Sequence, residues 1–461
     1  MTTTGHQEDT ARSDRNLYAF AISFVAAVGG FLFGFDLVII SSAQLYLRDL
    51  WKLNDFWYGF TTASANFGCI AGPFLGGWLC DAIGRKMTLV VASLLLAVSA
   101  IVTALAPEMI SFNLFRFVGG LGVGLASLAS PMYIVEVAPP RIRGGLGIMF
   151  QLAIAIGALS SAICGWLLAK YVSPDVSWRW MFGSEMAAIV LFVVALYFVP
   201  RSPRWLAEKG RWEESLAVLT KVDGPEYARK EMEGIKASLT EEQGTFSELI
   251  RPGMRMALLV GILLALFNNW TGWSAMSYYV PTLFEKAGVL NRADAIYQNV
   301  LINGWQVFLT LMAIFLVDRF GRKFLWLSGS GAMAVFLVVA GLMFHYNLTG
   351  IGVLLVMFLC VTPHAMALGP MPWLMMSELY PTRLRAKAVA ITTTVIWIAG
   401  WSSPFLFPVI TGFSERTIGS VGGAFWMFTI ICILAFIFGL KLLPETKGRT
   451  LEEIGKSWHP K

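Results

Sequence analysis

Asp36, Arg116 and Glu185 are ionisable residues embedded in stretches that are otherwise apolar or small. A charge carried to membrane depth costs about 2.5–3.5 kcal/mol on insertion scales, so a chain keeps one where it is used or paired. Asp36 stands alone in the run Gly29-Gly-Phe-Leu-Phe-Gly-Phe-Asp36-Leu-Val-Ile-Ile. A carboxylate binds and releases protons, whereas a guanidinium stays charged. Counted from the same end of their expected helices at about 1.5 Å per residue, Asp36, Arg116 and Glu185 lie roughly 12, 7 and 9 Å deep. Three such groups in one layer are expected to pair with one another rather than face lipid. The chemistry available is protonation that makes or breaks an ion pair. The alternatives are a static pair that fixes helix packing, or a neutral Asp36 satisfied by a backbone carbonyl.

The elements that carry these residues follow from composition. The 461 residues are 56% hydrophobic and only 14% charged, against about 25% charged in soluble domains. Apolar runs of about 20 residues recur throughout, which predicts an all-α membrane protein. Twelve spans are expected, at 17–43, 57–80, 87–106, 112–135, 146–169, 179–199, 256–284, 298–317, 324–344, 350–376, 386–411 and 421–443. The chain divides into a polar, disordered tail (1–16), a first six-helix half (17–199), a charged linker (200–255), a second half (256–443) and a second tail (444–461). The linker pattern predicts two or three short amphipathic helices on the membrane face. No cleavable signal peptide is expected.

Both tails, the linker and the loops 81–87, 136–145, 318–323 and 377–387 carry 26 of the 35 Lys and Arg residues. By the positive-inside rule these segments, and hence both termini, face the cytosol. The net charge of +6 is confined to such turns and lacks the basic–aromatic interleaving of a nucleic-acid binder. The five cysteines lie in or at the ends of apolar runs without metal-ligand spacing, and read as packing residues. No metal or other cofactor is expected.

The halves repeat. Asp81-Ala-Ile-Gly-Arg-Lys86 returns as Asp318-Arg-Phe-Gly-Arg-Lys323, and Glu136-Val-Ala-Pro-Pro-Arg-Ile-Arg143 as Glu378-Leu-Tyr-Pro-Thr-Arg-Leu-Arg385. Pro200-Arg-Ser-Pro-Arg204 returns loosely as Pro444-Glu-Thr-Lys-Gly448. Two related six-helix halves are a transporter arrangement, with substrate between them near mid-membrane.

These motifs, with Arg116-Phe-Val-Gly-Gly-Leu-Gly-Val-Gly124, Pro131-Met-Tyr-Ile-Val-Glu136, Trp178-Arg-Trp-Met-Phe182, Tyr278-Tyr279 and Gly369-Pro-Met-Pro-Trp373, resemble the sugar porter family of the major facilitator superfamily over about 17–455. The Gly-rich stretch 119–124 follows no strand, so close helix approach accounts for it better than dinucleotide binding. Asp36 and Glu185 fall on acids that the family's proton-coupled pentose and hexose symporters of bacteria carry, whereas facilitative members have a neutral residue at the first position. The resemblance thus assigns proton coupling to Asp36, Arg116 and Glu185. Asp81, Arg85, Glu136, Arg143, Asp318, Arg322, Glu378 and Arg385 become a cytosolic latch between the halves, with Tyr278 and Tyr279 also gating. Where the family has an acid in Pro-Glu-Ser-Pro-Arg, this chain has Arg201, so the first latch is expected to lose a partner and Arg201 to repel its neighbours.

By the same resemblance Gln151, Asn268, Asn269, Ser274, Gln306, Trp373 and Trp397 bind substrate. Each sugar hydroxyl both donates and accepts, and so do amides and Ser hydroxyls. The set departs from the family: Asn268 and Asn269 replace glutamines, Ser274 and Gln306 replace asparagines, and Ala158 and Ile396 replace polar residues. Singly, each polar residue also reads as interhelical glue. His364 reads as a packed neutral residue or a titrating relay. Gly272, Pro281, Gly369, Pro370 and Pro372 are expected to break the seventh and tenth spans. The implied protein is a monomeric, multi-pass cell-membrane transporter of a sugar and a proton, with no nucleic-acid partner. A facilitative uniporter and a non-transporting sensor are the alternatives. An enzyme is disfavoured because no nucleophile–base pair is present.

Overall fold

The apolar runs form helices, as their length and hydropathy require. The computed structural model describes residues 3–240, 245–252 and 254–447, and all its regular elements there are helical. We label the long helices α1 (Thr3–Leu50), α2 (Asp55–Ile83), α3 (Arg85–Leu105), α4 (Met109–Val137), α5 (Pro140–Tyr171) and α6 (Pro174–Phe198). The second half comprises α7 (Met254–Tyr278), α8 (Arg292–Phe320), α9 (Arg322–His345), α10 (Ile351–Met376), α11 (Thr382–Ile418) and α12 (Gly422–Lys441). Among the described residues, ten of them hold a stretch long and apolar enough to cross a membrane. The other two, α2 and α8, are each 29 residues long. They bury Thr61, Thr62, Ser64 and Asn66, and Asn299 and Asn303, inside the protein rather than facing lipid.

The first tail departs from expectation: its backbone from Thr3 onward continues α1 instead of being disordered. Extending a helix already nucleated by its apolar part costs little. The linker holds three short helices, Pro203–Glu208, Trp212–Asp223 and Pro225–Thr240, and a 3₁₀ turn, Phe246–Ile250. Val222 packs with Ala19 and Ile22 of α1, so these helices lie on the first half.

Small residues set the closest helix approaches. A Cβ on Gly120 would stand 1.9 Å from the Ala65 carbonyl oxygen, and one on Gly72 would stand 2.3 Å from Gly124 Cα. Only hydrogen fits along this α2–α4 seam. Three helices are interrupted. α6 breaks at Ser184, so Glu185 opens its second segment. α7 breaks at Gly272, whose φ of 102° is strained for any residue with a Cβ. α10 carries a π-helical turn at His364–Leu368 just before Gly369 and Pro370, and Pro281 starts a separate short helix, Val280–Lys286.

Candidate functional site

α1 and α4 bring Asp36 and Arg116 together. The Arg116 guanidinium forms a salt bridge with the Asp36 carboxylate, donates a second bond to the Asp36 carbonyl at 3.0 Å, and stacks 5.3 Å from the Phe182 ring centroid. The break in α6 places Glu185 against Asp36. Asp36, Arg116 and Glu185 are each only 1% exposed. Their hydrogen bonding is incomplete: Asp36 Oδ2, Arg116 Nε and Glu185 Oε1 have no partner among the described residues. A buried charge cluster repays its desolvation only when its remaining lone pairs and protons are satisfied. Three open valences in one cluster leave room for a proton to change the pairing.

The neighbours of Asp36 on α1 point elsewhere. Phe33, Gly34, Leu37, Val38 and Ser41 line a cavity of about 240 Å³ between the halves. Movement of α1 that alters the Asp36–Arg116 contact therefore also moves the cavity wall. Across that cavity stand Gln151 on α5, Asn268, Asn269, Ser274 and Tyr278 on α7, Gln306 on α8, Trp373 on α10 and Trp397 on α11. All seven residues expected to bind substrate thus share one cavity. Ala158, Ile396 and His364 line it too.

These residues are not equally available. Asn268 donates to the carbonyls of Leu368 at 2.9 Å and Gly369 at 3.0 Å, tying α7 to the π turn of α10. Asn269 donates to Ile396 O at 3.1 Å and accepts from the Ser274 hydroxyl at 2.8 Å. Trp397 is buried and packs 5.5 Å from Phe33 across the halves, while Trp373 is 42% exposed and presents its ring to the cavity. Sequence comparison missed Asn299 and Asn303 on α8 and Asn66 on α2, which also line the cavity. A signal was present: Asn299, Asn303, Gln306 and Thr310 follow a four–three–four spacing that places them on one helix face.

On the face bearing the linker, each half holds its own charge cluster. Arg85 contacts Glu136 at 2.9 Å, Asp81 at 3.7 Å and Glu208 at 3.6 Å, and Ser202 hydrogen-bonds to Glu136. In the second half Arg322 contacts Glu378 at 3.0 Å, and Thr446 donates to Glu378 at 2.5 Å. Arg385 stands in the first turn of α11. The side chains of Arg143 and Asp318 lie outside the described residues. Glu445 accepts from the backbone N–H of Arg322 at 3.0 Å and of Lys323 at 3.1 Å, capping α9. Burial opposes its charge, but N–H groups including these hold its carboxyl below the usual range.

Arg201 occupies the position equivalent to Glu445, and as expected its charge acts against that of a neighbour, Lys86. Its guanidinium lies 5.1 Å from the Trp205 ring centroid, while Glu208, from the first linker helix, supplies the acid to Arg85. Glu208→Gln should therefore destabilise the first half, by about 1 kcal/mol for a partly exposed pair. A thermal melt of the purified protein that shows no loss of stability would refute that role.

At the opposite face the halves are bonded to each other. Gln44 donates to Tyr278 O at 2.7 Å, Tyr58 and Thr282 share a bond of 2.8 Å, and Asn66 donates to the Tyr278 hydroxyl at 3.0 Å and Gly400 O at 2.7 Å. Arg292 pairs with Asp49 and Arg416 lies 3.8 Å from Asp55. Tyr278 thus bridges the halves, and Tyr279, which donates to Pro404 O at 2.8 Å within the second, meets the Tyr58 ring of the first at 5.5 Å.

Two six-helix halves around a polar cavity, sealed at one face, define a transporter of the major facilitator superfamily. The family model described as "Sugar (and other) transporter" matches residues 22–458. The arabinose-proton symporter of Bacillus subtilis is 38% identical, over 97% of this chain and 96% of that protein. The D-xylose-proton symporter of Escherichia coli is 34% identical, over 96% of both. The inward-open structure of the xylose transporter from E. coli superposes with a TM-score of 0.85 at 33% identity, covering 96% of this chain and 100% of that one. A proton:xylose symporter bound to 6-bromo-6-deoxy-D-glucose gives 0.78 at 33% identity, covering 96% and 99%. The chain belongs to the sugar porter family, whose members are transporters and not enzymes.

Proposed function

We propose that this protein imports a pentose or hexose across the cell membrane by proton symport, as a monomer with both termini in the cytosol. The observation that carries the proposal is the incomplete Asp36–Arg116–Glu185 cluster, buried on the helix whose next residues line the cavity. Facing outward, Asp36 takes a proton and releases Arg116. Sugar binds and the outer ends of α1, α2, α7 and α11 close over it. Opening to the cytosol lets the proton leave, and Arg116 recaptures Asp36. Two features support reading this structure as the inward-facing state after proton release: the paired Asp36 and the bonded face opposite the linker. The concentration of basic residues on the linker face supports its assignment to the cytosol.

Cargo recognition rests on the free amides of the cavity and on the ring of Trp373. The test is uptake into proteoliposomes under an imposed pH gradient, inside alkaline. Accumulation of labelled pentose or hexose above the external level is expected. Equilibration alone identifies a uniporter, and binding without uptake identifies a sensor.

A further inference from the structure

Asn303 is buried to 8% exposure on α8, one turn from Asn299 and in the same cavity wall. Its Nδ2 donates twice, to the Asn299 carbonyl at 2.8 Å and to Asn299 Oδ1 at 3.0 Å. Both partners are acceptors, so the amide cannot be flipped without losing both bonds. Asn299 is fixed in turn: it is 1% exposed and its Nδ2 donates to Ser41 Oγ at 3.3 Å, while Ser41 donates to Ser277 O at 3.3 Å. A relay of side chains from α8 to α1 and α7 therefore holds Asn303 in one orientation. That orientation leaves Oδ1, an acceptor with two lone pairs, without a partner among the described residues.

The setting gives this acceptor weight. The amides of Asn268 and Asn269 on α7 already donate to backbone carbonyls, and Ile396 on α11 adds only apolar surface to the cavity. Polar capacity on the α7, α10 and α11 side is thus reduced. On α8, Asn303 and Gln306 are three residues apart on the helix face that meets α5 and Gln151.

We propose that Asn303 is a specificity-determining residue whose Oδ1 accepts a hydrogen bond from one hydroxyl of the transported sugar, with Asn299 as its positioning residue. The assignment rests on the reading of the cavity as a sugar site. Recognition is in this way shifted from the α7–α11 wall to α8. A site that hydrogen-bonds a hydroxyl discriminates strongly against analogues lacking it.

The test is a cycle of protein and ligand changes in proteoliposomes, with D-xylose, L-arabinose and their monodeoxy analogues as probes. Asn303→Ala should raise KM about tenfold or more for whichever sugar the wild type carries. One deoxy analogue should be penalised in the wild type and not in Asn303→Ala, because its missing hydroxyl and the missing acceptor are partners. Asn303→Leu, close to the original side-chain volume, gives the same reading if the smaller variant fails to fold. Asn299→Ala should raise KM by a smaller factor at the same hydroxyl position. Equal penalties for every analogue in wild type and both Asn303 variants overturn the assignment while leaving sugar transport standing. Uptake by the wild type of neither these pentoses nor D-galactose or D-glucose overturns the sugar reading of the cavity, and this assignment with it.

Discussion

Asp36→Asn is expected to abolish uphill sugar uptake while leaving sugar exchange across the membrane intact. The substitution keeps the side chain's size and an acceptor for Arg116, but removes the group that takes and loses a proton. A pH difference of one unit is worth 1.36 kcal/mol per proton, or about tenfold accumulation for each proton coupled to one sugar. That factor should fall to one in the variant. Counterflow needs only reorientation of the loaded carrier, so it should persist when measured with labelled sugar outside and unlabelled sugar inside. A static ion pair behaves differently. Breaking a buried pair by neutralising one partner costs about 3–5 kcal/mol because the other charge is stranded. Loss of both uptake and counterflow, with a lowered melting temperature, would therefore assign Asp36 to packing and not to coupling.

The second large effect is expected from a substitution that changes no charge. Gly59 of α2 meets Phe405 of α11, which belongs to the other half, and a Cβ at position 59 would lie 1.9 Å from the Phe405 carbonyl oxygen. Both atoms belong to helix backbones, so no rotamer change relieves the overlap. The remaining escape is for the halves to part at this face, as they must when the transporter opens outward. Gly59→Ala should thus penalise the sealed state and spare the other. Overpacking of this kind costs about 1–3 kcal/mol, which shifts the balance between the states by roughly 5- to 150-fold. Leu50 and Leu290 are 54% and 96% exposed at this end of the protein, and spin labels placed there should move apart in the variant as transport falls. Unchanged label distances with normal uptake would show that the helices slide past the added methyl.

How much of this was legible from sequence depended on how local the determinant is. Asp36, Arg116 and Glu185 were brought into one layer by counting residues from helix ends, because the rise of an α-helix is constant and a membrane span leaves the chain few alternatives. The repeat of Asp81–Arg85 and Glu136 in Asp318–Arg322 and Glu378 was equally plain. What sequence comparison obscured was availability. Asn268 and Asn269 stand where substrate ligands are expected, yet their acceptors are carbonyls on α10 and α11, about 100 to 127 residues away, and no local pattern announces such a bond. Asn303 was overlooked for the opposite reason. Its position was judged against relatives, although the spacing along α8 itself places it on the face of Gln306. Glu208 was missed because a compensating acid need not occupy the position of the one it replaces.

The unequal caps of α3 and α9 bear on where the two repeats are joined. The second repeat closes its own cluster, since Glu445 and Thr446 follow directly from α12. The first borrows Glu208 and the Trp205 indole, which donates to Asp81 O at 3.1 Å, from a helix that follows α6. At the other end of the linker, Glu248 pairs with Arg383 of α11 at 2.6 Å. The linker helices as far as Thr240 therefore go with the first repeat and the turn from Thr245 with the second. A gene cut between them would divide the polypeptide into two pieces, each carrying its own linker-face charge cluster, whereas a cut at Pro200 would strand Arg85 with part of its company on the wrong fragment.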